Sequence, residues 1–269
     1  MRKVQVRRIS KAAILLLCAG VTGTVCFVTL IAIHVITGWQ EEAYFASLPA
    51  FFEQPEHILD VETDPTVLAG HLPTSTEAAR EPGELTTDFE KEFTDAVAWI
   101  RINGTSVNYP IMYRPDNEYY LTRRPDGKAS RSGSIFIDYR NAPDFSNQNT
   151  FIYGHRMRSG AMFGMLKDYA RQSFYEKHQT VSIFTPKGNY NAVLFAGYVF
   201  NQIKEEIPPI KFADAEAFAD YVRDAKRRSM FKSDIEVNFG DRLVTLCTCE
   251  YSYNEARLLV VGKLVAEDS

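Results

Sequence analysis

The sequence predicts a mainly β domain, a barrel or sandwich, carried behind one apolar N-terminal helix. Three observations support this. Short runs rich in β-branched and aromatic residues recur from Trp99 to Leu264, separated by turn residues and only a few helical inserts. Residues 12–38 contain no Asp, Glu, Lys or Arg. The 269 residues, 45% hydrophobic, suffice for one sizeable core plus an appendage.

Taken in order, residues 1–11 form a basic tail with Arg2, Lys3, Arg7, Arg8 and Lys11. Residues 12–38 are long enough to span a bilayer as a helix. Glu41 and Glu42 follow, so the positive-inside rule puts the tail in the cytoplasm and the rest outside. A cleaved signal peptide would have a shorter apolar region ending at a small-residue site. Cys18 and Cys26 follow Leu17 and Val25, where a lipoprotein site wants a small residue. An uncleaved anchor is therefore expected. With the five basic tail residues set aside, the net charge of −4 becomes −9 for the remainder, which argues against nucleic-acid binding. Residues 39–85 read as a connector: five of the twelve prolines lie between Pro49 and Pro82, and only Glu41–Phe52 suggests a short amphipathic helix.

The folded domain is expected over 86–269. Thr87 or Asp88 caps a helix with Phe89, Phe93 and Val97 on one face. Trp99–Ile102 is a strand, Asn103-Gly104 a turn and Ser106–Tyr113 the hairpin partner. Gly133–Asp138 and Asn149–Tyr153 are further strands. Ser159 caps a helix with Met162, Phe163, Leu166 and Tyr169 inward, and Ser173–Glu176 has capping-box spacing for a second. Val181–Phe184 and Tyr190–Phe200 return to strands. Asp214 starts a longer helix with Phe218, Tyr221, Val222 and Ala225 on one side, Glu216 near its start and Lys226, Arg227 and Arg228 near its end. Val244–Cys249 and Leu258–Leu264 close the series.

Of four cysteines, two lie in the apolar N-terminal stretch and two in Thr245-Leu246-Cys247-Thr248-Cys249. No separated pair is available for a disulfide framework. Cys249 ends one strand and Arg257 begins the next, so the two can meet over one end of a sheet. A thiolate is the reactive form of cysteine and a nearby cation favours it; a guanidinium also offers forked donors to an oxyanion. Proton exchange needs a histidine. His34 falls in the apolar stretch, His57 and His71 in the connector and His178 in a helical segment; only His155 follows a strand and a glycine.

With Thr245-Leu246-x-Thr248-Cys249, Arg257 before an apolar strand, and Tyr153-Gly154-His155-x-Met157 in order, the chain resembles a class B sortase. Trp99-Ile100-x-Ile102-x-Gly104-Thr105 and Gly133–Asp138 fit as well, so the resemblance runs from about Thr86 to Leu264. It implies a closed eight-stranded β-barrel with flanking helices, on a membrane-anchored cysteine transpeptidase of Gram-positive cell surfaces. It further implies that Cys249 attacks a threonine carbonyl in a C-terminal sorting signal of a secreted protein. His155 would protonate the leaving amine, Arg257 steady the oxyanion, and an amine of a cell-wall precursor or pilin resolve the thioester. Thr248 would shape the substrate side through its backbone. Cys247, on Cys249's side of the strand, is counted with it, with packing as the competing role. No cofactor is implied, and no His/Cys/Asp/Glu group has metal-site spacing. Two alternatives are an anchored cell-wall cysteine peptidase and a barrel that binds sorting signals without turnover. The first usually places cysteine before histidine and at a helix start.

Overall fold

The computed structural model describes residues 11–51, 91–250 and 256–267, without side chains at 11–25, 34, 50, 51, 249 and 250. Expectations that fall on 52–90 lie outside the described residues, including the cap at Thr87 or Asp88 and most of the connector. The chain divides into two compact units, Met1–Ser47 and Leu48–Ser269.

The first unit is one helix, α1 (Lys11–Ser47). Along it Phe27, Val28, Leu30, Ile31, Ile33, Val35, Ile36 and Trp39 are exposed, Phe27 by 65% and Trp39 by 69%. Among the described residues no helix is long and apolar enough to cross a membrane. The expected spanning helix over 12–38 is thus present as a helix but is not found as a span. Its side chains at 12–25 and 34 lie outside the described residues. The expected amphipathic helix at Glu41 is the continuation of α1, followed by a 3-10 turn at Leu48–Phe51.

The second unit is a closed barrel of eight strands: β1 (Ala96–Arg101), β2 (Asn108–Met112), β3 (Ile135–Ile137), β4 (Asn149–Tyr153), β5 (Thr180–Thr185), β6 (Gly188–Asn201), β7 (Arg242–Glu250) and β8 (Ala256–Ala266). Their order around the barrel is β1-β2-β3-β4-β7-β8-β6-β5, closed by β5 pairing with β1. Closure leaves no open sheet edge. Most pairs are antiparallel; β2 with β3 and β4 with β7 are parallel. The expected turn at Asn103-Gly104 joins β1 to β2, with Gly104 at φ +74°, a conformation that glycine adopts without a Cβ penalty.

Strand positions on both faces of the barrel wall are buried, so neighbours such as Trp99 and Ile100 are covered on opposite sides. Trp99, Ile100, Ile111, Ile137, Ile152, Ile183, Val260 and Val261 are all buried. Asp214 caps α3 (Ala215–Arg228), its carboxylate accepting from Ala217 N at 2.9 Å. Phe218, Val222 and Ala225 of α3 then bury against Phe195, Tyr198, Phe200, Phe212, Leu259 and Val261, with Tyr221 packed alongside. Covering a side chain such as Phe218 contributes roughly 1.5–3 kcal/mol.

Three helical expectations are corrected. Val97 belongs to β1, not to a helix: Ala96 and Ala98 pair with β2 across a bulge, and sheet pairing overrides the helical spacing. Ser159 starts no helix, because Met162 sits at φ +52°; a 3-10 turn over Gly164–Ala170 buries Met165, Leu166 and Tyr169 instead. The capping box at Ser173 does not form, since α2 (Gln172–Lys177) already begins at Gln172 and Arg171 gives no side-chain cap. Gln172 instead bonds the Lys232 backbone in both directions, at 2.8 and 3.2 Å.

Candidate active site

Two neighbours of β7 assemble the site. On one edge β8 runs antiparallel, with Cys249 opposite Arg257, Thr248 opposite Leu258 and Cys247 opposite Leu259. On the other edge β4 runs parallel, with Tyr153 opposite Cys247 and Gly154 N donating to Cys247 O at 3.1 Å. His155 therefore leaves the sheet beside the end of β7. The backbone brings Cys249, Arg257 and His155 to one rim of the barrel, although they come from three separate strand ends. The Cys249 side chain lies outside the described residues.

A cavity of about 390 Å³ opens at this rim. His155, Arg257, Thr248 and Cys247 all line it, with Tyr153, Asp138, Phe200 and Ile207. The half-buried His155 ring lies with Nε2 2.7 Å from the Leu121 carbonyl oxygen. A carbonyl only accepts, so Nε2 carries the proton and, in the neutral ring, Nδ1 is the basic atom. Gly133 makes this approach possible. At φ +58°, a Cβ on it would stand 2.6 Å from the carbonyl oxygens of Leu121 and Tyr120 and 3.0 Å from His155 Cδ2. The sharp backbone at Gly133 and the orientation of the ring are thus one structural fact.

Arg257 is half-buried, donates from Nη1 to Ala256 O at 3.1 Å and stands opposite Phe200 of β6. Thr248 is 2% exposed, and its Oγ1 is buried without a hydrogen-bond partner among the described residues. Cys247 is 5% exposed and belongs to the cluster beneath α3, which fits a packing role beside its place in the cavity lining. Among the described residues no group of His, Cys, Asp and Glu could hold a metal ion.

The sequence reading placed Asp138 and Tyr153 in strand motifs without a site role and did not mention Arg140. Asp138, fully buried at the end of β3, accepts from Arg140 Nε at 2.9 Å and Nη2 at 2.7 Å. It also accepts from the Tyr153 hydroxyl at 2.9 Å. Burial alone would raise the Asp138 carboxyl, but the Arg140 fork and the Tyr153 hydroxyl outweigh it and hold it below the usual carboxylate range. The Tyr153 hydroxyl is pushed well up by burial and by Cys247 beside it. Three polar side chains thus form a fixed floor to the cavity. Nothing in the sequence pairs Asp138 with Arg140 and Tyr153, which meet through the fold.

A barrel with a cysteine and an arginine at paired positions near a hairpin mouth, and a histidine just beyond the adjoining parallel strand, defines a class of thiol acyl-transfer sites. Residues 100–265 match the family model described as the sortase domain, and the chain belongs to the sortase family. Its class is B. It is 37% identical over 178 residues to sortase B of Staphylococcus aureus, covering 65% of this chain and 72% of that protein. It is 38% identical over 186 residues to sortase B of Listeria monocytogenes, covering 67% and 74%. A solved structure of S. aureus sortase B in complex with a substrate superposes with a TM-score of 0.63 at 36% identity, covering 66% of this chain and 83% of that one. The protein is accordingly a sortase transpeptidase.

Proposed function

We propose that this sortase cleaves a C-terminal sorting signal of secreted proteins after a threonine and joins the released carboxyl end to an amine. The observation that carries the reading is the register of β7, which sets Cys249 opposite Arg257 while β4 delivers His155 to the same rim. The substrate complex of the S. aureus relative supports a substrate as occupant of the cavity.

In this reading the Cys249 thiolate attacks the threonine carbonyl carbon. The oxyanion is met by the guanidinium of Arg257, whose planar fork suits it better than a point charge. His155 gives a proton to the departing amine as the C–N bond breaks, leaving a thioester. An acceptor amine then attacks the thioester, loses its proton to the ring and releases the Cys249 thiolate as the C–S bond breaks. Nδ1 is the atom that exchanges protons, because Nε2 is committed to Leu121 O. Thr248 and Cys247 line the same cavity on the substrate side. The acceptor is a cell-wall precursor or a pilin.

The exposed apolar side chains of α1 and the uncharged stretch at 12–38 support a membrane anchor, with residues 1–11 in the cytoplasm and the barrel outside. Protease added to intact protoplasts should remove the barrel and leave a small membrane stub; a soluble form starting near Trp39 would reject the anchor.

The activity is tested by incubating the protein with a pentapeptide library and measuring its mass. A thioester adduct on Cys249 is expected, released by hydroxylamine. Hydrolysis without transfer to any added amine would favour the peptidase reading, and peptide binding without an adduct would favour a non-catalytic barrel.

A further inference from the structure

One wall of the cavity comes from the segment that follows β6. It leaves β6 beside Arg257, where Phe200 stands opposite Arg257 and Asn201 opposite Ala256, and contributes Gln202, Ile207 and Pro208 to the lining. Ile203 and Ile207 are exposed on it. Nothing apolar in this segment is deeply buried, so its shape must come from polar contacts.

Those contacts are concentrated at two points. At the near end Asn201 Oδ1 accepts from Ile203 N and Lys204 N at 3.0 and 3.1 Å, and Glu205 Oε1 accepts from Asn201 N at 2.8 Å. Glu205 is gripped in turn by Arg228, the last residue of α3, at 2.5 Å from Nη1 and 3.1 Å from Nη2. The same guanidinium donates to Val199 O at 2.7 Å, approaches Asp224 at 3.5 Å and lies over the Tyr198 ring at 4.6 Å. At the far end Asn149 of β4 donates from its amide to Pro209 O at 3.2 Å and from its backbone to Ile210 O at 3.0 Å.

We infer that the Arg228–Glu205 pair is a positioning device. It fixes the wall Gln202–Pro208 against the cavity and so sets which sorting peptides the enzyme accepts. The inference rests on the peptide-binding reading above. Partly exposed ion pairs contribute little to global stability. This one instead joins a helix end, a strand carbonyl and a loop carboxylate through one planar group, and its effect is on geometry. Neither residue lines the cavity, so the chemical step stays with Cys249, His155 and Arg257.

Two measurements on the full chain test this. Hydrogen exchange reads the clamp directly: in Arg228→Ala, amides of 202–207 should exchange about tenfold faster while the strand amides keep their protection. Unchanged exchange there overturns the clamp, whether or not the enzyme uses peptides. Acylation by a threonine-containing pentapeptide library reads the consequence. Arg228→Ala and Glu205→Gln should each raise KM by about tenfold with kcat within threefold, and broaden the set of library members captured. The double variant should be no worse than either single one, because both remove the same pair. A loss confined to kcat, or effects that add, would overturn the assignment. Parent protein that forms no acyl-enzyme with any library member would instead sink the peptide reading itself.

Discussion

Two antiparallel hairpins of the barrel differ in a telling way. Between β5 and β6 only Pro186 and Lys187 intervene, with Thr185 opposite Gly188. That tip uses its polar groups on itself, Thr185 Oγ1 donating to Gly188 O at 2.8 Å and accepting from Lys187 N at 3.2 Å. Between β7 and β8 residues 251–255 intervene, and the last pairs before the mouth include Cys249 with Arg257. The ladder is the same in both. The short connection closes its end with a self-satisfied turn, whereas the longer one follows the register pair Cys249 and Arg257 at a rim. It adjoins β4 and hence a histidine. Of the two hairpins, function sits at the one with the longer connection.

This contrast can be attacked at either hairpin. Cys249→Ala should abolish the acyl-enzyme while leaving the fold intact, whereas replacing Pro186-Lys187 with Asn-Gly should leave turnover unchanged; intact protein mass and peptide turnover check both. Next in size, Arg257→Lys keeps the charge but loses the fork and should cost roughly ten- to a thousandfold in kcat. If turnover is unchanged, the guanidinium supplies only a positive field. Gly133→Ala pushes a Cβ into the Leu121 carbonyl that holds His155, so kcat should fall by about tenfold and the pH–rate profile should move. A fall in thermal stability with an unmoved pH profile would reduce Gly133 to a purely structural role.

Smaller effects follow. Asp138→Asn weakens the cavity floor and should cost about 1–3 kcal/mol of unfolding free energy at pH 7. Because the folded carboxyl lies below its ordinary value, its contribution is present above about pH 4 and is lost as pH falls through the folded value. The gap in denaturant midpoint between parent and variant should therefore narrow in acid. A gap that stays constant to pH 2 would contradict the charged pair. Smallest of all, Cys247→Ser should leave activity within about threefold, since a buried packing thiol attacks nothing; lost acylation in a folded variant would make Cys247 part of the chemistry.

Much of this was legible because strands are rich in β-branched and aromatic residues. Asn149–Tyr153 is β4 residue for residue, and Asp214 caps α3 as its position before an amphipathic run demands. The rim residues were legible because Cys249, Arg257 and His155 each stand at a strand end. What stayed hidden was of two kinds. Val97 and Ser159 carry helical signals that sheet pairing and a left-handed Met162 overrule, and neither tertiary fact is written locally. The partner of His155 is a backbone carbonyl, which every residue possesses, so no side-chain pattern reveals Leu121. Arg228 and Glu205 meet only once the chain has folded.

The parallel pairing of β4 with β7 also bears on how the molecule is made. Thr150 lies opposite Val244, and β5, β6 and α3 all intervene in the chain. Closing so long a loop costs entropy before any contact repays it, whereas the β5–β6 hairpin forms from neighbours. A refolding chain should protect the amides of that hairpin early and join β4 to β7 late. Enzymatic competence then arrives as one of the last events of folding, after most of the barrel's backbone is in place.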